Sequence, residues 1–363
     1  MKKSILLLAI GCLLGACSDD TTSTMGEESI DVGIRDDTNN SDAPSGDTQD
    51  SEEPDTGPPP TLTRWSTIAP VPGAEAAFQR VVACSGKLFV LGGRTLNQPG
   101  MPGVLVTSVY AYDPQSDTWE THEDMPERLD QTNIAATEDR IFVLGARGSK
   151  KVWSYAPETR VWTELAERPV SSDIGASALA VDGTDIYVAG GVIPSSNNPR
   201  GARVPTFARY DTTGDRWEEL PDMPAESAYF GAIAHDGVLY TNGGSTEMGD
   251  VARPGQTFAY DIRERLWTEK ALAPAAVSSF AIAQAGGRMY VIGGITGASG
   301  RINFEVQVYE PEFDRWDFTT EMPTPRFSAA AASLDGRIYV VGGVLQVGEA
   351  EFEATTRVEV LGP

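Results

Sequence analysis

Arginines gather in one kind of segment of this chain. Arg94, Arg147, Arg200, Arg203, Arg253 and Arg301 all follow shortly after a Gly-Gly or Gly-Ala pair, together with Lys150 and Lys151. Only Glu247 and Asp250 oppose these eight bases, although acids outnumber bases 39 to 24 over residues 65–363. The sixth such segment inverts the pattern with Glu349, Glu351 and Glu353. A guanidinium is a planar fork that matches a carboxylate through two parallel hydrogen bonds. Brought to one mouth, these groups would form an electropositive arc on an acidic body and draw in an anionic ligand. The alternative is that they pair with neighbouring acids or point outward.

A second set of segments follows Met-Pro and similar dipeptides and holds Asp130, Gln131, Asp173, Tyr229, Phe230, Phe280, Arg326 and Phe327. A carboxylate beside a cationic mouth can move protons, so Asp130 and Asp173 are the first candidates for acid–base work. Tyr229-Phe230 offers a platform for a sugar ring, or packs at a strand start. The expected ligand-binding set is therefore Arg94, Arg147, Arg203, Arg253, Arg301, Arg326, Asp130, Asp173, Tyr229 and Phe230. No catalytic residue, cofactor or metal ligand is assigned. Two histidines, His122 and His235, and three cysteines rule out a disulfide framework and a site of many imidazoles or thiolates. A formal charge of −24 argues against nucleic acid. Neither a Gly-x-Ser-x-Gly elbow nor a phosphate loop is present.

The elements that must position these residues repeat. Apolar runs such as Lys87-Leu88-Phe89-Val90, Asp185-Ile186-Tyr187-Val188 and Arg337-Ile338-Tyr339-Val340 each lead into a glycine pair. The pairs are Gly92-Gly93, Gly190-Gly191, Gly243-Gly244, Gly293-Gly294 and Gly342-Gly343, with Gly145-Ala146 as a degenerate second copy. Downstream stand Tyr112/Trp119, Tyr155/Trp162, Tyr210/Trp217, Tyr260/Trp267 and Tyr309/Trp316, every pair seven apart. The pattern resembles the kelch motif over residues 62–363. Four-stranded units that cannot bury both faces alone do so by radial stacking. The fold expected is all-β, a six-bladed kelch β-propeller. Its sixth unit ends at Val358-Glu359-Val360-Leu361 with no tryptophan after it. The missing outer strand is supplied from the front by Leu62–Ile68, so the N-terminal strand closes the last blade.

The kelch resemblance implies that both loop sets share one face, where function on a rigid scaffold usually lives. It also suggests two kinds of activity. Kelch adaptors grip acidic peptides, with arginines at positions where only Arg326 stands here. Sialate mutarotases use an arginine and a carboxylate, but carry a long insertion missing from this chain. Galactose-oxidase-like copper chemistry needs clustered histidines, and His122 and His235 fall in different kinds of segment. A binding module for a protein or an anionic glycan is the expected function, with a mutarotase or epimerase as the alternative.

The N-terminus reads as an address. Lys2 and Lys3 precede a short apolar run, and Leu14-Gly15-Ala16-Cys17 resembles the lipobox of bacterial lipoproteins. The resemblance implies a signal peptide over 1–16, lipidation of Cys17 and, with Ser18 next, sorting to the outer membrane of the cell envelope. Lipid would be the only membrane anchor. Residues 18–64 hold 13 acids against Arg35 and Arg64 and few apolar side chains, so 17–61 is expected to be a disordered acidic tether. Cys84 reads as a buried free thiol acting as a small hydrophobe. A monomer is expected.

Overall fold

The structure, a computed structural model, describes residues 61–73, 76–96, 103–168, 174–193, 201–245, 255–296, 301–348 and 351–363. The leader, Cys17 and all of the acidic tether before Thr61 lie outside them, as do Asp173, Arg200 and Arg253.

Among the described residues six antiparallel four-stranded sheets stand around an axis. Their inner strands are Arg80–Cys84, Ile134–Ala136, Ala178–Asp182, Gly231–His235, Ala281–Ala285 and Ala330–Leu334. Each touches the next in that order, and the last touches the first, so the ring closes. The second strand of each blade lies between its neighbours and is apolar almost throughout: Leu88–Leu91, Ile186–Ala189 and Ile338–Val341 are all buried. The inner strands alternate, one face on the blade and one on the axial channel.

The seven-residue Tyr–Trp spacing is a cross-strand pair. Tyr112 faces Trp119, Tyr210 faces Trp217 and Tyr260 faces Trp267 across a tight turn, with rings 4.8–5.2 Å apart. The indoles also tie blade to blade. Trp119 donates to the Ala69 carbonyl at 3.0 Å, Trp217 to Ala166 at 3.3 Å and Trp267 to Pro221 at 3.1 Å. The glycine pair has a steric reason. Gly92 and Gly93 take φ of 60° and 104°, and a Cβ on Gly92 would lie 2.7 Å from the Met125 methyl.

Closure follows the expected route. Arg64–Ile68 pairs antiparallel with Val358–Gly362, from Arg64 opposite Gly362 to Ile68 opposite Val358. Trp65 thus stands in blade six where the other blades carry their tryptophan. Leu62 fastens the entry, its N–H donating to the Tyr290 hydroxyl (3.1 Å) and its carbonyl accepting from Thr319 (2.8 Å). Cys84 is buried, and burial pushes its thiol up to about 11, which suits an inert packing role.

Blade two departs from the rest. Its strands Ile141–Ala146 and Ser149–Ala156 join through a tight hairpin at Arg147-Gly148, so Lys150 and Lys151 lie in a strand, not a loop. Its exit carries another anomaly. Met125, Met223 and Met322 are buried plugs whose N–H groups bond the Thr107, Pro205 and Phe304 carbonyls just ahead of each third strand, and Arg168 occupies the corresponding place after blade two, its own N–H bonding the Lys150 carbonyl. The Arg168 guanidinium is 2% exposed, lies over the Trp217 ring and has no hydrogen-bond partner among the described residues for any of its three nitrogens. Burial pushes it down to about 10. An unpaired buried cation is costly, and an apolar side chain of like volume avoids that cost. Arg168→Met is therefore expected to stabilise the protein by about 1–4 kcal/mol, read as a higher urea midpoint with an unchanged slope. A lower midpoint would show that this cation has a counter-charge.

Candidate functional site: the axial mouth

The two loop sets do meet on one face. In blade after blade, the first residue past the glycine pair bridges to a residue shortly before the inner strand: Ala77 with Arg94, Asp130 with Arg147, Gly175 with Val192, Ala228 with Ser245 and Phe327 with Val344. The next residue of each approach is Phe78, Gln131, Ala176, Tyr229, Ser279 or Ser328. All six are left-handed, with φ between 51° and 60°, and none is glycine. Their backbones link across blades. Ala176 donates to Gln131, Tyr229 to Ala176, Ser279 to Tyr229 and Ser328 to Ser279, at 2.7–3.2 Å. Such a conformation costs a non-glycine residue roughly 1–2 kcal/mol, and the chain of four bonds from Gln131 to Ser328 holds it in place in blades two to six. The result is a rigid girdle whose six side chains all line the mouth of the channel.

Below the girdle lies a cavity of about 730 Å³, walled largely by alanines of the inner strands. That volume is typical of small-molecule sites. Its polar groups are concentrated on blades one, two and four. Arg80, Arg94, Asp130, Gln131, Arg147 and Tyr229 line that side, whereas blades five and six contribute the uncharged Ser279, Gln284, Ser328 and Ser333. Arg94 pairs with Asp130 at 3.3 Å. Gln131 donates to the Tyr229 hydroxyl at 2.9 Å. Burial raises the Tyr229 phenol, while Arg203, Arg147 and the Gln131 bond act the other way.

The structure redraws the expected arc. Arg94, Arg147, Asp130, Tyr229 and Phe230 come together at the channel. The Phe230 ring lies close against Gly190, so it packs between blades as well as lining the wall. Arg203 does not present its charge to solvent. It is 5% exposed, donates to the Gly201 carbonyl and the Ser245 hydroxyl, and lies over the Tyr229 ring, 5.9 Å from its centre. It supports Tyr229 from behind. Arg301 is exposed in a small outer hairpin away from the channel lining. Arg326 is the clearest correction. It is fully buried in blade six, where Glu359, also fully buried, takes its Nη1 at 2.6 Å, and Nη1 and Nη2 also donate to the Thr324 and Val340 carbonyls. Its carboxylate partner comes from its own blade, so it grips the fold and not a ligand. Asp173 and Arg253 fall outside the described residues.

Sequence reasoning missed Arg80, which opens the first inner strand and lines the channel. Its register in the other blades holds Asn133, Ala178, Gly231, Ala281 and Ala330. A basic residue among small ones at an inner-strand start is the signal that could have found it.

A ring of four-stranded sheets with both loop sets on one face defines a kelch-type β-propeller. The Attractin/LZTR1 β-propeller profile matches residues 64–301, and the chain belongs to that family. It is 27% identical over 285 residues to Kelch-like protein terF of Aspergillus terreus, covering 73% of this chain and 61% of that protein. To Kelch-like protein 36 of Bos taurus it is 26% identical over 267 residues, 72% of this chain and 42% of the relative. The chain therefore spans less than two thirds of either relative. To N-acetylneuraminate epimerase of Haemophilus influenzae it is 25% identical over 252 residues, 56% of this chain and 66% of that enzyme.

The Arg326–Glu359 assignment has a direct test. Arg326→Met leaves a buried carboxylate alone and is expected to cost about 3–5 kcal/mol in urea unfolding. Adding Glu359→Leu should recover most of that loss, with ligand binding at the mouth unaltered in the double variant.

Proposed function

We propose that this protein is a monomeric binding module that receives the anionic part of a protein or glycan at its axial mouth. In the same reading it is held at the outer membrane of a bacterial cell envelope by lipid on Cys17. The observation that carries the proposal is the convergence of Arg80, Arg94, Arg147 and Asp130 at a preformed cavity. The body around them is acidic, so the mouth is where an anion would be attracted. The rigid girdle supplies the pre-organisation that keeps binding from being spent on ordering loops.

A second reading is favoured by one feature. Asp130 and Arg94 are in contact beside the Tyr229 hydroxyl at a cavity that fits one sugar ring, and one relative is an N-acetylneuraminate epimerase. A carboxylate and a phenol so placed could shuttle a proton at an anomeric centre.

Thermal shifts against acidic monosaccharides, acidic oligosaccharides and an aspartate-rich peptide, with neutral counterparts, separate the outcomes. Stabilisation by acidic members alone, weakening as salt rises, is expected. No shift with any acidic probe would overturn the reading. Proton NMR of anomeric exchange on the sugars that bind then distinguishes a turnover catalyst from a binder.

A further inference from the structure

Most arginines in the described structure already have a partner. Arg94 has Asp130, Arg209 has Asp185 and Glu218, Arg288 and Arg315 share Glu310, and Arg326 has Glu359. Arg80 differs. It is enclosed by protein yet keeps access to the channel, and no carboxylate among the described residues forms an ion pair with it. Its Nε donates to the Thr132 carbonyl at 3.0 Å, which fixes the plane of the guanidinium. Neither Nη group donates to a described atom, so both are left for whatever fills the channel. Enclosure lowers its affinity for its proton, with Tyr229 and Asp130 near enough to offset part of that effect.

A second group beside it is also incomplete. Gln131, the neighbour of Thr132 in sequence, spends its amide nitrogen on Tyr229, and its Oε1 is buried without a partner. Turned the other way, the amide would leave its nitrogen over instead. Either way one polar atom of Gln131 awaits a ligand group, and a hydroxyl can satisfy it as donor or acceptor. The alanine walls around these groups leave the room.

We infer that Arg80, and not the arginines of the rim, is the anion-binding residue of this channel: one carboxylate seats on its two free Nη groups, with a neighbouring hydroxyl on Gln131. The ligand class is a hydroxycarboxylate slim enough to pass the girdle, either a small acid sugar or the acidic end of a larger chain. This rests on the mouth being the binding face, as proposed above. Arg94 contributes less because Asp130 already neutralises it. A guanidinium held in one plane, short of a counter-charge and open on its forked side, is arranged for bidentate capture.

The test is calorimetric titration of the protein at low salt with D-glucuronate, D-gluconate and N-acetyl-aspartate, with D-glucose as neutral control. The variants are Arg80→Ala, Arg80→Lys and the rim pair Arg94→Ala/Arg147→Ala. Alanine is the residue that blades three, five and six carry at this register, so the fold should hold, and lysine keeps the charge while losing the fork. At least one acid is expected to bind the wild type saturably. Arg80→Ala should lose at least tenfold in affinity, Arg80→Lys a similar or slightly smaller factor, and the rim pair less than threefold. Gln131→Leu should weaken the two hydroxylated acids more than N-acetyl-aspartate. Unchanged affinity in Arg80→Ala with loss in the rim pair would remove this inference and leave the mouth as the binding face. No binding of any acid by the wild type would overturn both.

Discussion

The pairing of Arg64–Ile68 with Val358–Gly362 closes the ring, and every other feature of the mouth presupposes it. An open stack of sheets would leave strand edges for other chains to join and would let the inner strands drift apart. Once the first and last parts of the propeller lie in one sheet, the six inner strands are held at fixed separations. The left-handed girdle can then form, with Ala176, Tyr229, Ser279 and Ser328 each donating to the girdle carbonyl of the blade before. Strain at Phe78, Gln131, Ala176, Tyr229, Ser279 and Ser328 is thus distributed around a closed structure that tolerates it. Without closure these residues would have no reason to leave ordinary backbone geometry.

A symmetric scaffold carries an asymmetric site. The backbone repeats the same bridge and turn in blade after blade, but the side chains it presents differ sharply. One side of the mouth offers guanidinium, carboxylate and phenol groups, and the other offers serine hydroxyls, alanine methyls and the uncharged Gln284. This division gives a ligand an orientation, with its charge towards blades one and two. Blade two contributes most to the asymmetry. Its shortened hairpin brings Arg147 to the axis, and the plug that is apolar in the other blades, methionine in three of them, is Arg168. The departures from the repeat are thus concentrated where the polar groups gather.

The architecture was legible because it rests on local, repeated chemistry. Glycine pairs, apolar runs and the Tyr–Trp spacing each report a strand, a turn or a cross-strand pair within a few residues. The front-to-back closure was also readable, since blade six lacks a tryptophan and Trp65 precedes the first blade. The site was legible only in part. Asp130, Arg94 and Arg147 could be placed near the axis because the two loop sets flank it. Arg326 could not be read as buried, because its fate is set by Glu359 on a strand 33 residues away. Arg203 looked like a surface charge until its stacking on Tyr229 was seen. Arg80 was hidden because Gln79-Arg80-Val81 reads as an ordinary strand start, and facing the channel is a property of the ring. The girdle has no sequence signature, since Phe, Gln, Ala, Tyr and Ser share no chemistry that asks for a left-handed backbone.

The central claim is that the axial mouth is where this protein meets an anionic partner. A crystal structure grown with a saturating acidic sugar tests it most directly. The account predicts the carboxylate inside the girdle, on the Arg80 side of the channel and within reach of Gln131 and Tyr229, with the girdle backbone unmoved. A carboxylate bound on the outer edges of the blades, or a mouth holding only water while the sugar sits elsewhere, would contradict it.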